Sequence, residues 1–327
     1  MTTEIRVRTR LHPDSLDAVK GKVLREGDLD VVLTGQTAVK APDGKLLALY
    51  LPGYFESVHL DQFYPTLHAL RAFETDNRGL AAGTGRSMKL TPDDGSKART
   101  RTQPVASSII GAFDANPHRN YCRLTAWTGK ETEAFRGLWP LFGEIGDAFA
   151  KEVPDRFQAQ QAFVRRTPED WVVPGTPFTT ITINNSYPTG VHTDKGDLDE
   201  GFSNLTVLRR GAYHGGIFTF PEFRVGVDMH DGDLLLMDAH QWHGNTEMFC
   251  SMCGDRIGPP VDKHHHDGCS DGLYPPERIS IVCYYRTKMA DCGTAEEEAQ
   301  RAVAAVERRI TAGASVVEEM AEEAVGY

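Results

Sequence analysis

Residues 175–197, GTPFTTITINNSYPTGVHTDKGD, and residues 232–245, GDLLLMDAHQWHGN, decide the fold. The first opens on a β-branched run, breaks at Ser-Tyr-Pro-Thr-Gly and delivers His192 and Asp194. The second opens on Gly-Asp, passes through an apolar strand and ends in histidines. Around them lie the runs Phe178–Asn184, Asn204–Arg209, Gly216–Phe220, Phe223–Asp228, Asp233–Asp238 and Arg278–Arg286. Each is short and rich in β-branched or aromatic residues, and Gly, Pro, Asn or Asp punctuates most of the gaps. Strands at this spacing predict an antiparallel sandwich or barrel.

The preceding sequence is mixed. Tyr64–Glu74 reads as a short helix. Glu131–Val153 carries Phe135, Leu138, Leu141, Phe142, Ile145 and Phe149 at helical spacing, kinked or split at Pro140 and ending before Pro154. Asp30–Leu33 and Lys45–Leu51 flank the turn signal Ala-Pro-Asp-Gly and read as a hairpin. Gly83–Gln103, with Arg86, Lys89, Lys97, Arg99 and Arg101, reads as a mobile basic loop. Thr294–Val325 reads as an acidic terminal helix opened by a Thr294/Glu297 capping box. The class is therefore α+β.

Composition limits the function. The 327 residues are 40% hydrophobic and 25% charged, ordinary for a globular chain. No run of about 18 apolar residues predicts a membrane span, and MTTEIRVRTRLHPD lacks the apolar core of a secretory signal. A cytoplasmic protein is expected. A net charge of −11 argues against a protein that coats nucleic acid, while leaving room for a local basic groove. The six cysteines are expected as thiols or metal ligands rather than disulfides.

Two imidazoles and one carboxylate on one face of an octahedron leave three positions open, the arrangement of non-haem Fe(II) oxygenases. His-x-Asp supplies two such ligands together. The pair occurs at His12/Asp14, His59/Asp61, His192/Asp194 and His265/Asp267, so the pair alone decides nothing. Order selects His192/Asp194: a strand precedes it, and a Gly-Asp strand, a histidine and Arg278-x-Ser280 follow. The third ligand is His243 or His240. His243 is preferred because it sits in the Trp-His-Gly-Asn turn just past the strand, and His240 then orients a ligand or lines the substrate pocket. On a strand Arg278 and Ser280 share a face, where a guanidinium pairs with a carboxylate. Arg286 is the alternative anchor, without a paired serine.

Cys250-x2-Cys253, His264-His265-His266 and Cys269 have the two-knuckle spacing of a structural zinc site. Cys250, Cys253, Cys269 and His266 are the expected ligands, with His264 as alternate. Cys283 reads as core, and Cys122 and Cys292 carry no signal.

The segment from Thr176 to Arg286 resembles the TET/JBP family of 2-oxoglutarate dioxygenases, particularly its phage and bacterial members. The matching stretches are residues 175–197, GFSNLTVLR, GGIFTFPEF, residues 232–245 and RISIVCYYR. NRGLAAG, SIIGAFD and YCR, between Asn77 and Arg123, are similar to the family's N-terminal region. The resemblance implies a double-stranded β-helix, or jelly-roll, core with flanking helices and a C-terminal helix. It implies iron on His192, Asp194 and His243, and 2-oxoglutarate on Arg278 with Ser280. The implied reaction is hydroxylation of the 5-methyl group of 5-methylcytosine in DNA by Fe(II), 2-oxoglutarate and O2. The base must flip out or be presented single-stranded, and Asn184, Asn185, Tyr187 and His240 are candidates to receive it. Arg165/Arg166, Arg209/Arg210 and the basic loop are candidate phosphate contacts. The alternatives are the same chemistry on thymine in DNA, on a small molecule or on a protein side chain, or a non-catalytic module that binds modified bases. The expected organisation is one dioxygenase domain, 1–293, followed by the helix 294–327. That domain comprises an N-terminal helical and β segment, 1–175, and a jelly-roll core, 176–290, with the Cys/His insert 247–276.

Overall fold

A two-strand ladder near the N-terminus shows how local chemistry starts the sheet. At Ala41-Pro42-Asp43-Gly44 the Asp43 carboxylate accepts from the Lys45 N–H at 2.9 Å. The Gly44 N–H reaches the Ala41 carbonyl at 2.9 Å, and Gly44 takes a φ of 93°. The turn therefore joins Thr37–Lys40 to Leu46–Leu51, with Ala38 opposite Leu49 and Val39 opposite Ala48. The computed structural model describes residues 2–75, 78–83, 87–90, 99–102, 104–117, 119–258, 268–270 and 272–311. It corrects one sequence expectation here: the hairpin partner is Thr37–Lys40, the strand next to the turn. Val31–Leu33 instead pairs in parallel with Val225–Val227.

The chain divides into two compact units, residues 1–107, 184–194 and 205–281, and residues 108–183, 195–204 and 282–327. In the first, Thr3–Arg6, Thr37–Lys40, Leu46–Leu51, Leu234–Met237, residues 205–210 and residues 277–281 are neighbours in that order. A second sheet runs Gly244–Asn245, Phe218–Phe220, Val225–Val227 and Val31–Leu33. A third, small sheet runs Tyr213–Gly215, Met248–Cys250 and Arg256–Ile257. Leu47, Tyr50, Val207, Phe220, Leu235 and Leu236 are buried among these strands. Each such side chain stabilises the fold by about 1.5–3 kcal/mol.

The Gly-Asp that opens Leu234–Met237 is a structural clamp. Buried Asp233 accepts from Tyr50 Oη at 2.6 Å, Gly53 N–H at 2.7 Å and His230 N–H at 2.6 Å. Burial and this carboxylate push the Tyr50 phenol far above its ordinary value, so it stays a donor. The segment expected as a basic loop contains an antiparallel ladder, Ser87–Leu90 against Arg99–Thr102, which corrects that expectation for those residues.

The second unit is mainly helical. The long helix predicted over Glu131–Val153 is two, Thr132–Gly137 and Trp139–Glu152, with Pro140 in the first turn of the second. Proline is tolerated there because that N–H has no intrahelical partner. Leu141, Phe142, Ile145 and Phe149 form its buried face. Pro154–Val164 is a further helix, unexpected from sequence. Ala295–Thr311 is the terminal helix, and Thr294 and Glu297 do form its capping box, at 2.8 and 3.3 Å.

Cys122 and Cys292 form a disulfide across 170 residues, correcting the expectation of thiols throughout. They meet inside an apolar cluster with Trp171, Tyr285 and Met289. No local spacing announces a pair so far apart. No helix among the described residues is long and apolar enough to cross a membrane.

Candidate metal and co-substrate site

His192 and His243 are brought together by backbone. They form an antiparallel bridge, with His192 N–H on the His243 carbonyl at 2.8 Å and the reverse bond at 2.9 Å. Gly244 eases the approach: a Cβ there would lie 3.1 Å from the backbone of Val191, which would have to give way by a few tenths of an ångström. Asn245 fixes the opposing turn, its Oδ1 accepting from Thr189 N–H at 3.1 Å and Thr189 Oγ1 at 2.9 Å. Asp194 is held by its N–H on the Ala239 carbonyl at 3.0 Å. The Trp-His-Gly-Asn turn is thus a device for docking one ligand-bearing segment on another.

The side chains converge on one point. Asp194 lies 3.6 Å from His192 Nε2 and 3.5 Å from His243 Nε2. All three ligand atoms lie within 4.8 Å of one another. Each imidazole is oriented from its far side, His192 Nδ1 on the Gly190 carbonyl at 2.7 Å and His243 Nδ1 on the Gln241 carbonyl at 2.8 Å. A carbonyl only accepts, so both Nδ1 atoms carry the proton and both Nε2 atoms present lone pairs. Phe218 stacks on His243 at 5.7 Å between centroids. Burial and the neighbouring His243 lower His192 to about 4, against the pull of Asp194, so it is neutral near pH 7. Burial acts to raise Asp194, but His243, His192 and Arg78 hold it ionised well below the usual carboxylate range. Two imidazoles with fixed orientation and a carboxylate suit a divalent iron ion.

His240 lies outside this cluster. Its N–H and Nδ1 meet Asp238 at 3.1 and 3.2 Å. Of the other His-x-Asp pairs, His12 stands at the N-cap position of the helix Pro13–Val19 without a side-chain cap bond, and Asp61 pairs with Arg210. His265 and Asp267 lie outside the described residues.

Arg278 is 5% exposed. Among the described residues its Nη2 has no hydrogen-bond partner, nor has the hydroxyl of buried Tyr213. An unpartnered N–H group on a buried guanidinium is costly, and the orphan Tyr213 hydroxyl lies within its electrostatic reach. Arg209 lies over the Tyr213 ring at 4.3 Å and adds positive charge. Burial lowers Arg278, while Tyr213 and Asp228 act to raise it; burial pushes the Tyr213 phenol up to about 12. Both groups are donors near neutrality. Gly216, at φ 69°, leaves the room this needs, since a Cβ there would press on Met248 at 2.7 Å and on Arg278 at 3.3 Å. The arrangement fits a carboxylate such as the distal group of 2-oxoglutarate.

Ser280 is turned to another partner: its Oγ accepts from Asn184 Nδ2 at 3.3 Å, and Asn184 Oδ1 accepts from Ser107 at 2.6 Å. Asn185 donates to the Leu67 carbonyl at 3.1 Å, and buried Tyr187 donates to the Ala81 carbonyl. These three candidate pocket residues are hydrogen-bonded within the protein. Arg286, the alternative anchor, is paired with Asp114 at 2.6 Å and lies over Phe113. Cys250, Cys253 and Cys269 come together, while His264 and His266 lie outside the described residues. Sequence reasoning missed Tyr213, Phe218 and Arg78. Arg78 lay in the quoted NRGLAAG without a role, and Tyr213 was readable only as an aromatic before a Gly-Gly.

Residues 109–287, more than half of the chain, match the family model Tet_JBP, the oxygenase domain of the 2OGFeDO superfamily. The chain belongs to the Tet_JBP family. Its relatives include the thymine dioxygenase JBP1 of Leishmania braziliensis, 28% identical over 271 residues, 76% of this chain and 30% of that protein. JBP1 of Trypanosoma brucei brucei is 30% identical over 207 residues, 63% of this chain and 22% of that protein. The chain thus spans less than a third of either relative. A solved structure described as NgTET1 in complex with 5mC DNA shares the fold at a TM-score of 0.54 and 12% identity, covering 90% of this chain and 86% of that one. The Tet_JBP assignment and this likeness make the α+β fold a 2-oxoglutarate–iron oxygenase jelly roll.

Proposed function

We propose that this Tet_JBP chain is an Fe(II)- and 2-oxoglutarate-dependent dioxygenase that hydroxylates the 5-methyl group of 5-methylcytosine in DNA. The observation that carries the chemistry is the convergence of His192, Asp194 and His243, with both Nδ1 atoms tied to carbonyls. When bound, iron and 2-oxoglutarate would activate O2, the four-electron oxidant, which would oxidise the methyl C–H bond and convert 2-oxoglutarate to succinate and CO2. The protein's own residues place and select. His192 and His243 offer Nε2 lone pairs without losing a proton, and Asp194 offsets positive charge. Arg278 and Tyr213 receive the distal carboxylate of the co-substrate. Arg78 brings a further positive charge to the same ligands.

DNA as substrate is supported by the family and by the DNA complex of the structural relative. A 5-methyl group within a duplex is out of reach of buried ligands, so the base flips or arrives single-stranded. Thymine is the second reading, favoured by the relatives named thymine dioxygenases. The test is nucleoside mass spectrometry after incubation with 5-methylcytosine DNA and with unmethylated DNA, using His192→Ala as control. 5-Hydroxymethylcytosine from the first substrate alone supports the proposal. A hydroxymethyl product from thymine alone replaces 5-methylcytosine by thymine. Iron-dependent succinate release with neither would move the substrate off DNA.

A further inference from the structure

The proposed reaction does not use Cys250, Cys253 and Cys269, yet their sulfur atoms lie within 4.8 Å of one another. All three are free of disulfides. Cys250 ends the strand Met248–Cys250, and the chain then turns sharply around it. The Met252 N–H donates to Cys250 Sγ at 3.4 Å, and the Gly254 N–H donates to the Cys250 carbonyl at 2.9 Å. Gly254 accepts the φ of 78° that completes the turn. A turn that aims backbone N–H at sulfur favours the thiolate, the form that binds metal. Three sulfurs this close and outside any disulfide form a donor set for a thiophilic cation, and zinc suits such a set.

The cluster is tied to the co-substrate cradle by register. Cys250 stands opposite Tyr213, and Met248 opposite Gly215, in one antiparallel ladder. Tyr213, Met248, Cys250 and Ile257 form a buried cluster against which Cys269 packs. Met248 also fills the space beside Gly216 and Arg278. Whatever fixes Cys250 therefore fixes the strand that carries Tyr213.

We propose that Cys250, Cys253 and Cys269 bind a structural zinc ion, and that this ion holds Tyr213 in place to receive the co-substrate carboxylate. The bracing role rests on the proposed function; the zinc site does not.

The test uses the full chain in a His192→Ala background, so that the iron site does not take up zinc. Elemental analysis should find about one zinc per chain. Replacement by Co2+ should give the thiolate-to-metal charge-transfer band of a sulfur-rich tetrahedral site. Cys253→Ser and Cys269→Ser should each lose the metal and the band. In the wild-type background, with redox-inert Mn2+ at the iron ligands, equilibrium dialysis should show 2-oxoglutarate binding weakened about tenfold in these variants, roughly one lost hydrogen bond to a charged group. Zinc removed by a chelator and then restored should weaken and rescue binding in the unaltered chain, which separates metal loss from misfolding. Absence of zinc, or zinc unchanged in both variants, overturns the site. Zinc lost with 2-oxoglutarate affinity unchanged overturns the bracing role. A zinc-loaded chain that binds no 2-oxoglutarate removes that role along with the proposed co-substrate, while the zinc content still stands.

Discussion

His243 and His240 lie three residues apart and differ in what holds them. The His243 Nδ1 sits on a carbonyl and its Nε2 faces Asp194, whereas His240 is spent on Asp238. His243→Ala is therefore expected to abolish stoichiometric Fe(II) binding and succinate release, and His240→Ala to keep its iron; metal titration of the two variants decides. Tyr213→Phe should raise the 2-oxoglutarate KM about tenfold, the loss of one hydrogen bond to a charged group, with iron affinity unchanged. Asp238 gives a pH prediction. Burial acts to raise its carboxyl, but His240 and Lys45, the latter at 2.6 Å, hold it below the usual range. A depressed folded value contributes stability above the unfolded pKa of about 4 and loses it as pH falls below. Asp238→Asn should cost about 1–3 kcal/mol near neutrality, and the gap to the parent should close in urea melts below pH 4. An unchanged gap would remove the charge from the explanation.

Elements are legible where a covalent pattern makes them. The strand runs after Pro177 appear with trimmed ends because alternation and turn residues are local. Pro140 marks a break in sequence and in structure because its effect on the helix is local too. The helix Pro154–Val164 escapes because its sequence, PDRFQAQQAFV, has no apolar stripe. Its apolar ties, Phe157 on Phe149 and Phe163 on Tyr285, follow no single stripe, and a polar one is added by Gln160, 1% exposed, which donates to the Pro177 carbonyl at 2.7 Å. The Val31–Leu33 pairing is hidden for a related reason, since a parallel partner nearly two hundred residues away leaves no mark at the turn. The site divides in the same way. Its ligands are legible from spacing, whereas Tyr213 gains meaning only beside a buried guanidinium that lies far along the chain. The disulfide is testable at this scale. Its closed loop is long, so Cys292→Ser should cost about 2–4 kcal/mol. Reductant should destabilise the parent by a similar amount and leave the variant unmoved.

At the scale of the whole chain, the proposed substrate conflicts with the net charge. A surplus of acid giving −11 repels a polyanion at long range, so productive contact with DNA requires local cations. Residues 83–103 carry Arg86, Lys89, Lys97, Arg99 and Arg101, and the strand Ser87–Leu90, with Lys89, pairs with Arg99–Thr102, with Arg99 and Arg101. Each phosphate neutralised by a cation contributes about 0.9 to the slope of log affinity against log salt. If this hairpin carries the contact, replacing all five cations by alanine should flatten the slope by about 2–4. It should weaken binding most at low salt, where released counterions favour association. The proposed iron site is not among these residues, so turnover of a free methylated nucleotide at saturating concentration should be unaltered while KM for duplex rises. An unchanged slope would place the contact elsewhere, with Arg165/Arg166 and Arg209/Arg210 as the next cations to remove. Of these, Arg209 and Arg210 are already paired with Asp228 and with Asp61 and Asp231. Releasing them to DNA would first cost those ion pairs.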